Sequence, residues 1–124
     1  MVARILSGII GLYMLFTCAL WLVNPDSAAQ ALKMSLEEGM GGNTQMGDFA
    51  SFFFTAGVFA CIGAFRAEYA WLYASISLLG SAALFRSLSI FTHGSVPFVE
   101  AIVFEIIMTV VLVLCVYLMK KEKA

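Results

Sequence analysis

The sequence predicts an all-α integral membrane protein, an antiparallel four-helix bundle in a single domain, with both termini in the cytoplasm (N-in/C-in). Three observations lead to this fold class. Of the 124 residues, 62% are hydrophobic and 12% are charged, which is about half the charged share of an ordinary soluble domain. Four apolar runs are long enough to cross a bilayer. The basic residues are distributed unevenly among the segments that connect these runs.

The predicted spans lie at about residues 5–23, 49–65, 70–91 and 98–119. The first run, ILSGIIGLYMLFTCALWLV, has no charge and would extend roughly 28 Å as a helix. A cleaved signal peptide is the alternative for this run, because Arg4 precedes it. The run is longer than the ~7 to 15 apolar residues of a signal peptide. We therefore expect it to remain in the protein as a membrane helix.

The longest connection, residues 24–48, is predicted to be extracytoplasmic. It begins with Asn24 and Pro25, a common start of a helix. The stretch PDSAAQALKMSLEE is therefore predicted to be a short helix near the lipid surface, ended by the glycines of GMGG. These glycines do not indicate a phosphate-binding loop, because no strand precedes them and no Lys-Ser or Lys-Thr pair follows.

Basic residues predict the orientation of the spans. One side of the predicted arrangement has only Lys33, and the other has five basic residues: Arg4, Arg66, Lys120, Lys121 and Lys123. Because Lys and Arg concentrate on the cytoplasmic side of membrane proteins, both termini are predicted to be cytoplasmic. The predicted location is the bacterial inner (plasma) membrane, as a multi-pass protein.

Composition also limits the partners. A net charge of −1 argues against nucleic acid, since binding to phosphates requires clustered Lys and Arg. The lipid bilayer is the predicted partner, and another membrane protein or a second copy of the chain is a further candidate.

The stretch FRSLSIFTHGSVPFVEAIVFE carries four ionisable residues in apolar surroundings. Arg86 and Glu105 are both expected roughly 8 to 10 Å below the outer surface, on spans joined by a short turn. An unpaired charge inside a membrane helix costs about 2.5 to 3.5 kcal/mol. Arg86 and Glu105 are therefore predicted to form an intramembrane charge pair.

Two interpretations of this pair remain open. In the first, the pair only fixes the register of two helices. In the second, it lines a polar pocket that opens to the outer side, because ionisable groups inside a membrane often mark ligand or proton sites. Glu100, His93 and Asp48 are the further candidate residues of such a pocket.

The segment FRSLSIFTHG resembles the Gly-Arg-x-x-Ser-x-x-x-Asp-Gly segment of a bacterial four-helix membrane family catalogued as domain of unknown function 4345. The agreement is at Arg86, Ser89 and Gly94. Gly11 and Leu12 of the first span, and its end at Asn24 and Pro25, also resemble this family. The resemblance implies a four-helix membrane protein and supplies no mechanism.

Three positions depart from the family pattern. Phe85 stands where the family has glycine, and His93 stands where it has aspartate. A basic residue of the family is also missing at Met46. If the family's basic and acidic residues form an ion pair, that pair is absent from this chain.

Small residues recur every four positions on the second span, at Ala56, Ala60 and Ala64. This spacing lets helices approach closely in lipid, so it predicts packing inside the bundle, with a contact to another subunit as the alternative. Aromatic residues near the span ends are predicted to be interfacial anchors. These are Trp21, Tyr69, Trp71 and Tyr117.

The cysteines indicate neither a metal site nor a disulfide. Cys18, Cys61 and Cys115 form no CxxC pair and have no Cys/His ligand spacing. Their expected depths of about 8, 18 and 26 Å differ too much for a disulfide, which needs Cα atoms within about 7 Å. No metal and no cofactor are predicted.

The leading functional hypothesis is a membrane protein without enzymatic activity, an accessory or partner-binding subunit, because no Ser or Cys has a base placed beside it. The alternative is a small oligomeric transporter or channel that uses a polar site around Arg86 and Glu105. A weaker hypothesis is a copper site, since thioethers and imidazole suit copper. Its ligands would be Met34, Met40, Met46 and His93.

Overall fold

The computed structural model describes residues 1–123, which contain helices and no strand. The helices are α1 (Val2–Val23), α2 (Pro25–Ala31), α3 (Gly39–Arg66), α4 (Leu72–His93) and α5 (Val99–Lys123), and a 3-10 turn at Tyr69–Trp71 precedes α4. The helices α1, α3, α4 and α5 are long and apolar enough to cross a membrane. The all-α class and the presence of four membrane-length helices are therefore confirmed.

The segment between α1 and α3 differs from its prediction. The start of α2 is as expected, with the side chain of Asn24 accepting a hydrogen bond from the backbone N–H of Ser27 at 3.4 Å. However, α2 ends at Ala31, and the glycines that were predicted to end a helix begin α3 instead. As a result, α3 starts at Gly39, well before the predicted boundary at residue 49.

Side-chain hydrogen bonds of Gln45 explain this difference. The Gln45 side chain accepts a hydrogen bond from the backbone N–H of Glu37 at 2.8 Å and donates one to the carbonyl of Ser35 at 3.1 Å. The extended residues before α3 are thereby tied to its second turn. Gly39 also has a φ of +63°, a conformation that costs glycine little and lets the chain enter α3 from this segment.

Helices α1 and α3 approach each other closely. A Cβ added to Gly57 would lie 2.9 Å from the carbonyl oxygen of Gly11 and 2.9 Å from the backbone nitrogen of Leu15. The backbones therefore meet where neither helix has a side chain. Ala56, Ala60 and Ala64 are buried beside this contact on α3, as expected for packing inside the bundle.

A hydrogen bond also joins α3 to α4 in the interior. The hydroxyl of Ser75 donates to the carbonyl of Ala56 at 2.6 Å, and both residues are fully buried. Ala56 belongs to a core cluster that also contains apolar side chains from α1, α4 and α5: Ile10, Met14, Leu72, Leu79, Leu112 and Val116. A hydroxyl that bonds to a carbonyl of a neighbouring helix adds a polar link to a core that is otherwise apolar.

Trp21 is not the interfacial anchor that its position near a span end predicted. Its side chain is 0% exposed and stacks on Phe49 with the ring centroids 5.0 Å apart. With Ala28 and Ala29 of α2, it forms a second apolar cluster, the Trp21 cluster. This cluster attaches the short helix α2 to the long helices.

Polar contacts link the start of α1 to the ends of two other helices. Arg4, in the first turn of α1, donates hydrogen bonds to the carbonyls of Ala64 and Phe65 at 2.7 and 3.0 Å. These carbonyls belong to the last turns of α3, where a cation also interacts favourably with the helix dipole. The amino group of Met1 lies 3.3 Å from a carboxylate oxygen of Glu122. The start of α1 therefore contacts the ends of both α3 and α5.

Candidate functional site

The structure brings Arg86 and Glu105 together. The Nε of Arg86 on α4 lies 2.9 Å from the Oε1 of Glu105 on α5. Gly94, which has a φ of +65°, ends α4, and a short segment then leads into α5. Neighbouring helices joined by a short connection place the two side chains at matching depth. The Glu105 side chain is 9% exposed, whereas the Arg86 side chain keeps 32% of its surface exposed.

The ion pair with Arg86 compensates the charge of Glu105, but it does not use all the hydrogen-bonding capacity of the Glu105 carboxylate. Among residues 1–123, no donor reaches the buried Oε1 of Glu105 in hydrogen-bonding geometry. The guanidinium also lies over the ring of Phe98, with Cζ 5.7 Å from the ring centroid. Arg86 therefore interacts with a carboxylate and an aromatic face at once, and one buried carboxylate oxygen can still accept a hydrogen bond.

The pair lines a cavity of about 620 Å³, which we call the Arg86 cavity. Residues from all five helices contribute to its wall. They come from the second half of α1, from α2 and the residue after it, from the middle of α3, from residues 79–86 of α4, and from Phe98 and the first turns of α5. Its volume falls within the range of about 300 to 1,000 Å³ that is common for small-molecule sites.

Four charged side chains line the Arg86 cavity: Asp48, Arg86, Glu100 and Glu105. Asp48 and Glu100 are exposed, and within the described chain neither carboxylate takes part in an ion pair or a side-chain hydrogen bond. Glu105 has Arg86 as its partner. The wall therefore presents three carboxylates and one guanidinium, with the two unpaired carboxylates at its exposed part.

His93 does not line this cavity, in contrast to its prediction as a pocket residue. It lies seven residues beyond Arg86, which places it about 10 Å farther along α4. The side chain is exposed at the end of the helix, and its Nδ1 is 2.9 Å from the hydroxyl of Thr92. This distance along the helix axis separates His93 from the charged residues near Arg86.

The aromatic character of the cavity was not predicted from the sequence. Seven aromatic residues contribute to the wall: Tyr13, Phe16, Phe49, Phe52, Phe53, Phe98 and Phe104. The rings of Tyr13 and Phe104 meet across α1 and α5, with centroids 5.5 Å apart. The sequence contains one indication of this aromatic wall. Phe49, Phe52 and Phe53 have the i, i+3, i+4 spacing that places side chains on a single helix face.

The four residues of the copper hypothesis lie in different parts of the structure. Met34 and Met46 pack against the Trp21 cluster, whereas Met40 is exposed at the start of α3. His93 lies at the end of α4. In residues 1–123, no group of three or more His, Cys, Asp or Glu side chains is arranged to hold a metal ion. The cysteines are free thiols, on α1, α3 and α5.

Comparisons of the chain with protein-family models, with curated proteins and with solved structures give no match. The resemblance to the four-helix family described above stays a prediction.

Proposed function

We propose that this chain is a multi-pass protein of the bacterial inner membrane that binds a small, largely apolar molecule in the Arg86 cavity and catalyses no reaction. The observation that carries the proposal is the position of the Arg86–Glu105 pair in the wall of a cavity. A pair that only fixed the register of two helices would need no cavity beside it. Mostly apolar pockets with a few converging polar groups are typical of small-molecule sites.

The proposal includes an antiparallel arrangement of the four long helices, with both termini in the cytoplasm. The contacts of Arg4 with the end of α3 and of Met1 with Glu122 support it, because they gather basic helix ends on one side of the protein. Most residues that line the Arg86 cavity come from the parts of the helices that are farther from these ends. In this topology, the cavity lies in the outer half of the membrane.

The absence of enzymatic activity is proposed because of what lines the cavity. Among the described residues, its wall contains no serine, cysteine, lysine or histidine, so the Ser and Cys nucleophiles and the commonest general base are missing from it. The carboxylates and the guanidinium fit recognition of a ligand. A transporter or channel would require such a site, and binding is the part of that hypothesis for which the geometry offers support.

The accessory-subunit hypothesis stays a prediction. The long helices expose large apolar side chains, among them Phe16, Leu84, Phe85 and Val110. Lipid covers such surfaces in any membrane protein, so their exposure does not favour a protein partner over the bilayer.

The test fills the cavity without changing its charge. Ala82 lies in the cavity wall, and Ala82→Phe adds an aromatic ring there. Ala19→Phe is the matched control, because Ala19 is exposed on α1 and does not line the cavity. We expect a neutral naphthylamine fluorophore to bind saturably to the wild-type chain and to Ala19→Phe in lipid nanodiscs. Ala82→Phe should lose this binding, and equal binding by all three would contradict the proposal.

A further inference from the structure

We infer that the ligand of the Arg86 cavity is a hydrophobic organic cation with a single positive charge, such as an alkylammonium or arylammonium ion. This inference rests on the proposed binding function and adds the chemical class of the ligand. Three features of the cavity carry it: its excess of carboxylates, its aromatic wall and the buried carboxylate oxygen of Glu105.

The first feature is the charge of the wall. Three carboxylates and one guanidinium give a formal sum of −2, from −3 and +1. Arg86 compensates Glu105, so the uncompensated groups are Asp48 and Glu100. An anionic ligand would meet two carboxylates without a free cation to pair with, and a neutral ligand would leave both without a partner. A cation gains from both carboxylates as it enters.

The second feature is the aromatic wall. A cation over the face of an aromatic ring, within about 6 Å of its centroid, is attracted by the ring quadrupole, and organic ammonium ions are commonly bound in this way. Arg86 already makes this contact with Phe98 at 5.7 Å. The wall has six further aromatic residues, from α1, α3 and α5. An organic cation therefore finds ring faces in the same volume that the carboxylates border.

The third feature is Glu105. It is more than nine-tenths buried and lines the cavity, and its Oε1, although 2.9 Å from the Nε of Arg86, accepts no hydrogen bond of good geometry within the described chain. A ligand that carries an N–H group can supply this donor. Arg86 also limits how much positive charge the ligand can carry, because the guanidinium repels other positive charges near it. A ligand with one charge on a large apolar body satisfies both conditions.

The experiment compares two probes of closely similar shape and opposite charge. Binding of radiolabelled tetraphenylphosphonium and tetraphenylborate is measured with the full chain in phosphatidylcholine nanodiscs. Empty discs and the Ala82→Phe variant serve to subtract uptake by lipid. We expect the phosphonium to bind at least about 10-fold more tightly than the borate, since two unpaired carboxylates favour one ion and repel the other.

Substitutions then assign the preference to named carboxylates. Asp48→Asn and Glu100→Gln should each weaken phosphonium binding by about 3-fold, as expected for partly exposed charges, and the double variant by about 10-fold. Glu38→Gln is the matched control, because Glu38 is an exposed acid immediately before α3 and does not line the cavity. Its phosphonium affinity should equal that of the wild type.

The outcomes separate this inference from the proposed function. If the borate binds as tightly as the phosphonium and Ala82→Phe abolishes both, the cavity binds ligands but the charge class is wrong. If Asp48→Asn with Glu100→Gln leaves phosphonium affinity unchanged, the inference is also wrong. If neither ion nor the neutral fluorophore binds in a way that depends on Ala82, the proposed function fails as well.

Discussion

At the scale of single residues, the Arg86–Glu105 pair is an asymmetric contact. The Glu105 side chain is 9% exposed, whereas Arg86 keeps 32% of its side chain exposed next to the cavity. The long apolar part of an arginine can lie in the protein while its charged end reaches water. The effect of removing one partner therefore depends on which residue is removed. Without Arg86, the carboxylate stays buried alone, whereas without Glu105 the guanidinium can turn outward to water.

This asymmetry gives the first prediction on stability. We expect Arg86→Met to destabilise the protein by about 2 to 4 kcal/mol, because it leaves the buried carboxylate without its partner. Glu105→Leu should cost less, and the double substitution should cost less than the sum of the two. Thermal unfolding in detergent measures all four forms. Strict additivity of the single effects would show that the two side chains do not interact.

At the scale of helices, the contact between α1 and α3 depends on the absence of side chains at Gly11 and Gly57. We expect Gly57→Ala to destabilise the protein by about 1 to 3 kcal/mol, because its Cβ would lie 2.9 Å from the carbonyl oxygen of Gly11 and the two backbones would have to separate. The measurement is again thermal unfolding in detergent.

Gly47→Ala is the control for this substitution on the same helix. A Cβ added there would have no neighbour within 4 Å, so only the higher helix propensity of alanine should act. The expected result is a small gain, up to about 1 kcal/mol. Equal losses at Gly47 and Gly57 would mean that the close approach of α1 and α3 does not explain the effect.

At the scale of the whole molecule, the proposed topology predicts the side on which each segment lies. A fluorescent protein fused to the C-terminus should fluoresce in the cytoplasm, and alkaline phosphatase fused there should be inactive, because five basic residues favour that side. Fusions made after Ser35, between α2 and α3, should give the opposite pattern. An active phosphatase at the C-terminus would contradict the N-in/C-in arrangement.

The sequence predicted those parts of the molecule that follow from distance along one helix. The four long helices and the matching positions of Arg86 and Glu105 along neighbouring helices depend on apolar length and on a rise of about 1.5 Å per residue, so both could be calculated. The start of α3 could not be calculated, because the Gln45 hydrogen bonds override the local preference of glycine. The burial of Trp21 depends on Phe49, which is distant in sequence. The cavity needed five helices in place, so no single segment predicted it.

The length of α3 has a consequence for how a molecule reaches the protein. Its 28 residues extend about 42 Å, whereas the hydrocarbon of a bilayer is about 30 Å thick. Asp48 lies 18 residues before Arg66, or about 27 Å along the axis. In the proposed topology, this carboxylate therefore sits where acyl chains give way to headgroups. Amphiphilic ions accumulate in that layer, so the outer leaflet would serve as the reservoir from which such an ion moves sideways to Asp48.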